Sequence, residues 1–265
     1  MKDFQVRPGR KVRLKERDAK DTAFFKGTRD SAKKLTEDLT QKLGRLQHIF
    51  YADGRHKLLV VLQAMDTAGK DGTIRHVFDH VNPQGIRVYN FKVPTAEELS
   101  HDFLWRVHPK TPGLGEISIF NRSHYEDVLI TRVHGLVPQA LWKKRYGHIN
   151  EFERLLSDEG TTVLKFFLHI SRDEQKKRLE ARLDDPKKRW KFNPGDLAER
   201  KLWDRYREAY EDSLTKTSTP WAPWHVIPSD HKWFRNWAVA RILTEKLESL
   251  GLKYPKPAFS SKLKI

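Results

Sequence analysis

Leu35, Leu39, Leu43, Leu46 and Phe50 recur at three- and four-residue intervals, which predicts one amphipathic helix over 31–51. Upstream of it, residues 1–30 are basic and show no clear period, so an arm precedes the helix. After Asp53-Gly54 the pattern changes. Short apolar runs, KLLVVLQ (57–63), IRVYNF (86–91), EISIFN (116–121), TTVLKFFLHI (161–170) and WHVIP (224–228), alternate with helical stretches that begin at Lys70 and Thr95 and run over 122–157, 202–214 and 232–250. Thr95-x-x-Glu98 and Ser171-x-x-Glu174 have the form of capping boxes. A charged insertion, SRDEQKKRLEARLDDPKKRWKFNPG (171–195), separates the fourth run from the helix that contains Leu202 to Leu214. Strands alternating with helices predict an α/β fold with a parallel sheet and helices on both faces. A single domain over 1–265 is expected, with 1–50 as basic arm and helix.

Charge narrows the function. Lys and Arg total 51 against 35 Asp and Glu, a formal net charge of +16, so a polyanionic partner is the first expectation. The absence of cysteine excludes disulfides, thiolate metal sites and a cysteine nucleophile. The first twenty residues lack an apolar h-region and no apolar run approaches a membrane span, which predicts a cytoplasmic protein without a membrane partner. An RNA-binding protein would account for the charge. No RNP-type strand with aromatic residues among basic ones is present, so specific nucleic-acid binding is not expected.

The stretch VVLQAMDTAGKDGTIRHVF (60–78) reads as a modified phosphate loop. A strand passes through Gly69-Lys70 into a helix, but Ala64 stands where the first glycine of G-x-x-x-x-G-K-[ST] belongs and Asp71 replaces the closing Ser/Thr. Backbone N–H groups from Ala68 to Thr73 (Ala68, Gly69, Lys70, Asp71, Gly72, Thr73) would cradle phosphate, with the Lys70 ammonium neutralising charge. Asp66 and Asp71 are candidates for the lost Mg²⁺ ligand. The same pattern also suits an ordinary strand-to-helix turn with a surface lysine.

Asn121, Arg122, Glu126 and Asp127 follow the third strand, where ligands bind in open α/β sheets. Asn121 occupies the place of a Walker B acid. The spacing of Arg122 and Glu126 equally fits a surface i,i+4 ion pair. In the insertion, Arg178 and Arg182 lie four apart and Lys187, Lys188, Arg189 and Lys191 follow. Like charges so spaced destabilise a helix slightly unless an anion sits between them. Nucleoside monophosphate kinases carry a mobile, arginine-bearing lid at this place in the fold, which makes 171–195 a candidate lid.

Taken together, GKDGT (69–73), the Asp66-x-x-Gly69-Lys70 spacing, FNRSHYEDVL (120–129), HISRDEQKKRLEARL (169–183) and KRWKFNPGD (188–196) resemble the polyphosphate kinase 2 family along almost the whole chain. Asn121 with Glu126 is similar to its class III subgroup, which phosphorylates nucleoside mono- and diphosphates. The resemblance implies a P-loop kinase-like three-layer fold with a helical lid, Mg²⁺ dependence, inorganic polyphosphate as donor, adenine or guanine nucleotides as acceptors, and a homo-oligomer. It further implies Asp66 and Asp127 as Mg²⁺ ligands, and Asn121 and Glu126 around the acceptor phosphate. Lys70, Arg122, Arg132, Arg178 and Arg182 would hold donor and transferring phosphates, with Lys187 and Lys188 along the polyphosphate. An ATP-dependent nucleoside monophosphate kinase is the alternative.

Overall fold

The computed structural model describes residues 4–257. In chain order, α1 (Arg29–Asp53) leads into β1 (Lys57–Ala64) and α2 (Lys70–Val77), and β2 (Ile86–Asn90) with the short α3 (Ala96–Ser100) precedes β3 (Ile117–Asn121). α4 (Ile130–Val133) and α5 (Gln139–Asp158) lead to β4 (Thr161–His169). α6 (Arg172–Asp184), α7 (Gly195–Lys201) and α8 (Trp203–Thr217) lie between β4 and β5 (Trp224–Pro228), and α9 (Lys232–Glu248) follows.

The five strands pair in parallel in the order β2-β3-β1-β4-β5. β1 is central and buried from Leu58 to Ala64, which is why its run of Leu and Val shows no polar alternation. α1, α2 and α9 pack together, as do α4, α5 and α8, so the sheet lies between two helical layers. This is the expected three-layer, P-loop kinase-like arrangement, and it turns the carboxyl ends of β1 and β3 toward the loops that carry the candidate site.

Local signals behave as their chemistry demands. The Thr28 hydroxyl caps α1 by accepting from Ser31 N, and Gly54 ends the helix in the left-handed conformation at φ 63°. Thr95 and Glu98 form a complete capping box. Ser171 forms half of one: its hydroxyl accepts from Glu174 N, but its own N–H goes to Asp230, and Glu174 turns to Arg178.

Where the sequence predicts an unpatterned arm, the structure has a strap along the outer edge of β5. Gln5 bridges His225 antiparallel, Val6 N donates to Trp224 O at 2.8 Å, and Leu14 N donates to Glu211 Oε1 at 2.7 Å. Phe4, Val6, Val12 and Leu14 are buried, while Arg7, Arg10, Lys11, Arg13 and Lys15 between them are exposed. Such isolated apolar anchors make no period, but they cover an edge that would otherwise present unpaired backbone groups. Among the described residues no helix is long and apolar enough to cross a membrane.

Candidate active site

β1 ends at Ala64, and the loop Met65–Gly69 turns into α2. Gly69 is its N-cap at φ 107°, and a Cβ there would lie 1.9 Å from Arg235 Nη1. Only glycine meets both demands. The loop is held from behind by two buried guanidiniums that both reach the Ala68 carbonyl at 2.9 Å, one from Arg178 and one from Arg235. Burial lowers the Arg235 pKa to about 9, with Arg178 adding to the effect. Thr73 is also inward, its hydroxyl donating to Gly69 O at 3.1 Å. The N–H groups of the first turn of α2, at Lys70, Asp71 and Gly72, are left without partners inside the helix, the geometry that receives phosphate. Lys70 Nζ donates to Ala64 O at 3.3 Å, and burial lowers its pKa, with Arg122 acting in the same direction.

The second segment begins where β3 ends. Arg122 has φ 62° and Thr67, in the loop opposite, φ 64°; they are the two non-glycine residues with left-handed backbone among those described. Strain of this kind persists where surrounding contacts enforce it, commonly at functional sites. Arg122 N donates to Leu62 O at 3.2 Å, and its Nη2 lies 3.1 Å from Asp66 Oδ1. Ser123 then caps a 3-10 turn, His124–Val128. Glu126 faces the Arg122 and Lys70 charges, and burial raises its pKa against their opposing pull.

Asp127 corrects an expectation. One residue further round the tight turn, it pairs with Arg145 of α5 at 3.2 Å, where burial raises its pKa to about 6. Glu126 lines the cavity, whereas Asp127, projecting about 120° from it on the 3-10 turn, meets Arg145 instead. Asn121 is corrected in the same way. Its amide donates to Asp71 Oδ1 and to Asn90 Oδ1, both at 2.7 Å, so it supports the loop aspartate, and it is not among the residues that line the cavity described below.

The cavity at these strand ends has a volume of about 230 Å³. Asp66, Arg122 and Glu126 line it, and Asn193, Asp196, Glu199 and Arg200 enter from α7 and the segment before it. Trp203, Tyr206 and Tyr210 of α8 form an aromatic wall with Met65 and Ile130. The sequence reasoning missed this wall, although the spacing 203, 206, 210 is a single helical stripe. Tyr206 OH donates to Glu199 Oε2 at 2.6 Å, and His134 Nε2 lies 3.0 Å from the same oxygen, so three elements meet at the mouth.

Of three further arginines expected to bind phosphate, Arg178 and Arg132 do not line the cavity and Arg182 stands beside it, against Asp196. Arg178 is buried and spends its guanidinium on the carbonyls of Thr67, Ala68, Ser229 and Asp230 and on the Glu174 carboxylate. Backbone oxygens, invisible to a charge pattern, take the role foreseen for a ligand anion. Arg132 pairs with Asp212 at 2.6 Å and lies over the Trp142 ring at 4.6 Å, outside the cavity wall. Arg182 pairs with Asp196 at 3.6 Å. Lys187 and Lys188 are exposed in the segment between α6 and α7, Lys188 against Asp185.

The donor set suits Mg²⁺. Asp66 and Glu126 carry hard oxygen donors close enough for the Asp66 charge to act on the Glu126 carboxyl, beside the cationic Lys70 and Arg122. Mg²⁺ is characteristically held by one or two carboxylates together with substrate phosphates, and among the described residues no cluster of three or more potential protein ligands is assembled.

The family model described as Polyphosphate kinase 2 matches residues 26–254. The chain is 58% identical over 261 residues to the AMP/ADP-polyphosphate phosphotransferase of Meiothermus ruber, covering 98% of each. It is 44% identical over 267 residues to the ADP-polyphosphate phosphotransferase of Rhodopseudomonas palustris, covering 96% of this chain and 92% of the relative. The crystal structure of Polyphosphate Kinase 2 from Arthrobacter aurescens TC1 matches with a TM-score of 0.94 at 46% identity, over 97% of this chain and 92% of that one.

Proposed function

The chain belongs to the Polyphosphate kinase 2 family, and on that premise we propose that it transfers the terminal phosphate of inorganic polyphosphate to AMP and to ADP. The observation that carries this reading is the meeting of the Lys70 loop with Asp66, Arg122 and Glu126 at a cavity that Trp203, Tyr206 and Tyr210 also line. The charged groups suit phosphates and the aromatic rings suit a nucleoside. The relative that is 58% identical is named for both acceptors, which supports the dual use.

The attacking atom is a phosphate oxygen of the acceptor, ionised at neutral pH, so no general base is needed and catalysis reduces to positioning and charge neutralisation. We assign Lys70 and the first turn of α2 to the donor phosphates and Arg122 to the transferring group. Asp66, with Glu126, would hold Mg²⁺, which when bound offsets phosphate charge and aligns donor with acceptor. Trp203 and Tyr206 would pack against the base, and α7 with the 185–194 segment would close over it and exclude water. Guanine nucleotides would pack against the same aromatic wall. An ATP-dependent nucleoside monophosphate kinase is disfavoured by Asp71 in place of the Ser/Thr after the loop lysine.

The deciding experiment supplies AMP, Mg²⁺ and polyphosphate and follows products by chromatography. ADP followed by ATP is expected. ADP without ATP restricts the enzyme to monophosphates, and turnover that requires ATP as donor rejects the reading.

A further inference from the structure

Behind the turn that carries Arg122 and Glu126 lies a fully buried ionic cluster that the transfer chemistry does not use. Lys165 of β4 stands in register between Val61 of β1 and Trp224 of β5. Its ammonium pairs with Glu153 of α5 and donates to Tyr125 OH at 2.8 Å and to Thr217 O at 2.7 Å. The other Glu153 oxygen accepts from Tyr125 OH at 2.8 Å and faces His124 Nε2 at 3.3 Å. All four residues have essentially no exposed surface.

Such a pair is a poor stabiliser. Two ions must be stripped of water, and apolar residues of similar volume commonly fill such a site with equal or greater stability. The neighbouring core positions on β1 and β4 are Leu, Val and Phe, so an apolar filling was available. What an apolar filling lacks is direction. The cluster joins β4, α5 and the end of α8 to two successive side chains of the 3-10 turn, His124 and Tyr125. Holding these inward leaves Glu126 directed at the cavity, with Arg122 held in its left-handed conformation three residues before Tyr125. From the other side Gln63 Nε2 donates to Ser123 Oγ at 3.1 Å, and that oxygen also accepts from Tyr125 N. The turn is clamped front and back.

We propose that Lys165 and Glu153 are positioning residues that lock Tyr125 and thereby aim Arg122 and Glu126 at the transferring phosphate, rather than supports of the fold. The inference rests on the roles given above to Arg122 and Glu126. Displacement of a reacting or charge-stabilising group by about 1 Å costs on the order of 100-fold in rate, so a loosened turn should act on kcat.

The test compares the full chain with Tyr125→Phe, which keeps the ring and removes the hydroxyl, and with the double variant Lys165→Met with Glu153→Leu. kcat, the KM values for ADP and polyphosphate, and thermal unfolding are measured well below the melting temperature of each protein. The expected result is a double variant that melts within a few degrees of the parent, a kcat at least about tenfold lower in both variants, and a polyphosphate KM within about twofold. Parental kcat in either folded variant overturns the positioning role. If the double variant does not fold, Tyr125→Phe decides alone. A parent without polyphosphate-dependent turnover overturns the functional reading and this inference together, whereas an active parent matched by its variants overturns this inference only.

Discussion

The buried guanidinium of Arg178 donates to the carbonyl of Ala68 at 2.9 Å, which makes this arginine a strut of the phosphate loop. Its remaining donors reach Thr67 O, Ser229 O, Asp230 O and Glu174, so α6, the loop and the end of β5 meet on one side chain. Arg178→Ala is therefore expected to cost about 3 kcal/mol of stability, since charge-assisted bonds to buried carbonyls are lost and those acceptors go unsatisfied. For a chain of this size that is a fall on the order of 10 °C in Tm. Arg182→Ala, which breaks a longer pair at 3.6 Å, should stay within about 0.5 kcal/mol of the parent. Calorimetry of the two variants checks the assignment; equal melting temperatures would refute it.

Asp66 and Asp127 should separate cleanly. Asp66→Asn is expected to lower kcat on the order of 100-fold, because the carboxylate proposed above to hold Mg²⁺ is lost. Asp127→Asn should retain most activity, since its carboxyl pairs with Arg145 outside the cavity.

Asp127 also sets a pH dependence. Its folded pKa of about 6 lies above the ordinary carboxylate value of 3.8 because of burial, so the folded state holds its proton more tightly. That contribution to stability is present below about pH 4 and is lost as pH rises through 6. Asp127→Asn should accordingly melt at or above the parent at pH 7.5, with the difference closing toward pH 4. Melting curves across this range would show the opposite trend if the carboxylate were stabilised by its arginine.

Asn121→Asp would place a second carboxyl against Asp71, across a contact now made at 2.7 Å by an amide donor. Loss of the donor and like-charge repulsion, reduced by the exposure of Asp71, should destabilise the protein by roughly 1–2 kcal/mol at pH 8. Because the introduced carboxyl would hold its proton to higher pH, the deficit should shrink as pH falls to 5. Activity with AMP and with ADP should fall together, since the effect runs through the loop. Selective loss of one acceptor would return Asn121 to the acceptor site.

Trp203→Ala tests the aromatic wall. Removing the indole should raise KM for AMP and ADP about tenfold while leaving KM for polyphosphate within about twofold, as expected if it contacts the nucleoside alone. Equal weakening of both substrates would move the wall to the donor side.

Much of this architecture is legible in the amino-acid sequence by itself. The runs from Leu58 and Ile117 could only be interior strands, Gly69-Lys70 could only be a turn into a helix, and the Asp66, Lys70, Arg122 and Glu126 cluster follows because these residues stand at the ends of adjacent parallel strands. Local periodicity and strand-end chemistry are encoded in neighbouring residues. Which of several charged side chains turns toward the cleft is not. Arg178 and Arg182 look equivalent along the chain, but one meets four carbonyls from two distant loops and the other meets Asp196. Glu126 and Asp127 are adjacent, but a 3-10 turn directs one to the cavity and the other to Arg145. The apolar anchors of residues 4–14 show no period because the edge of β5 buries them one at a time. Tertiary structure decided these cases because the free energy of a charged or isolated apolar side chain depends on partners brought from remote parts of the chain, and a sequence pattern records only its neighbours.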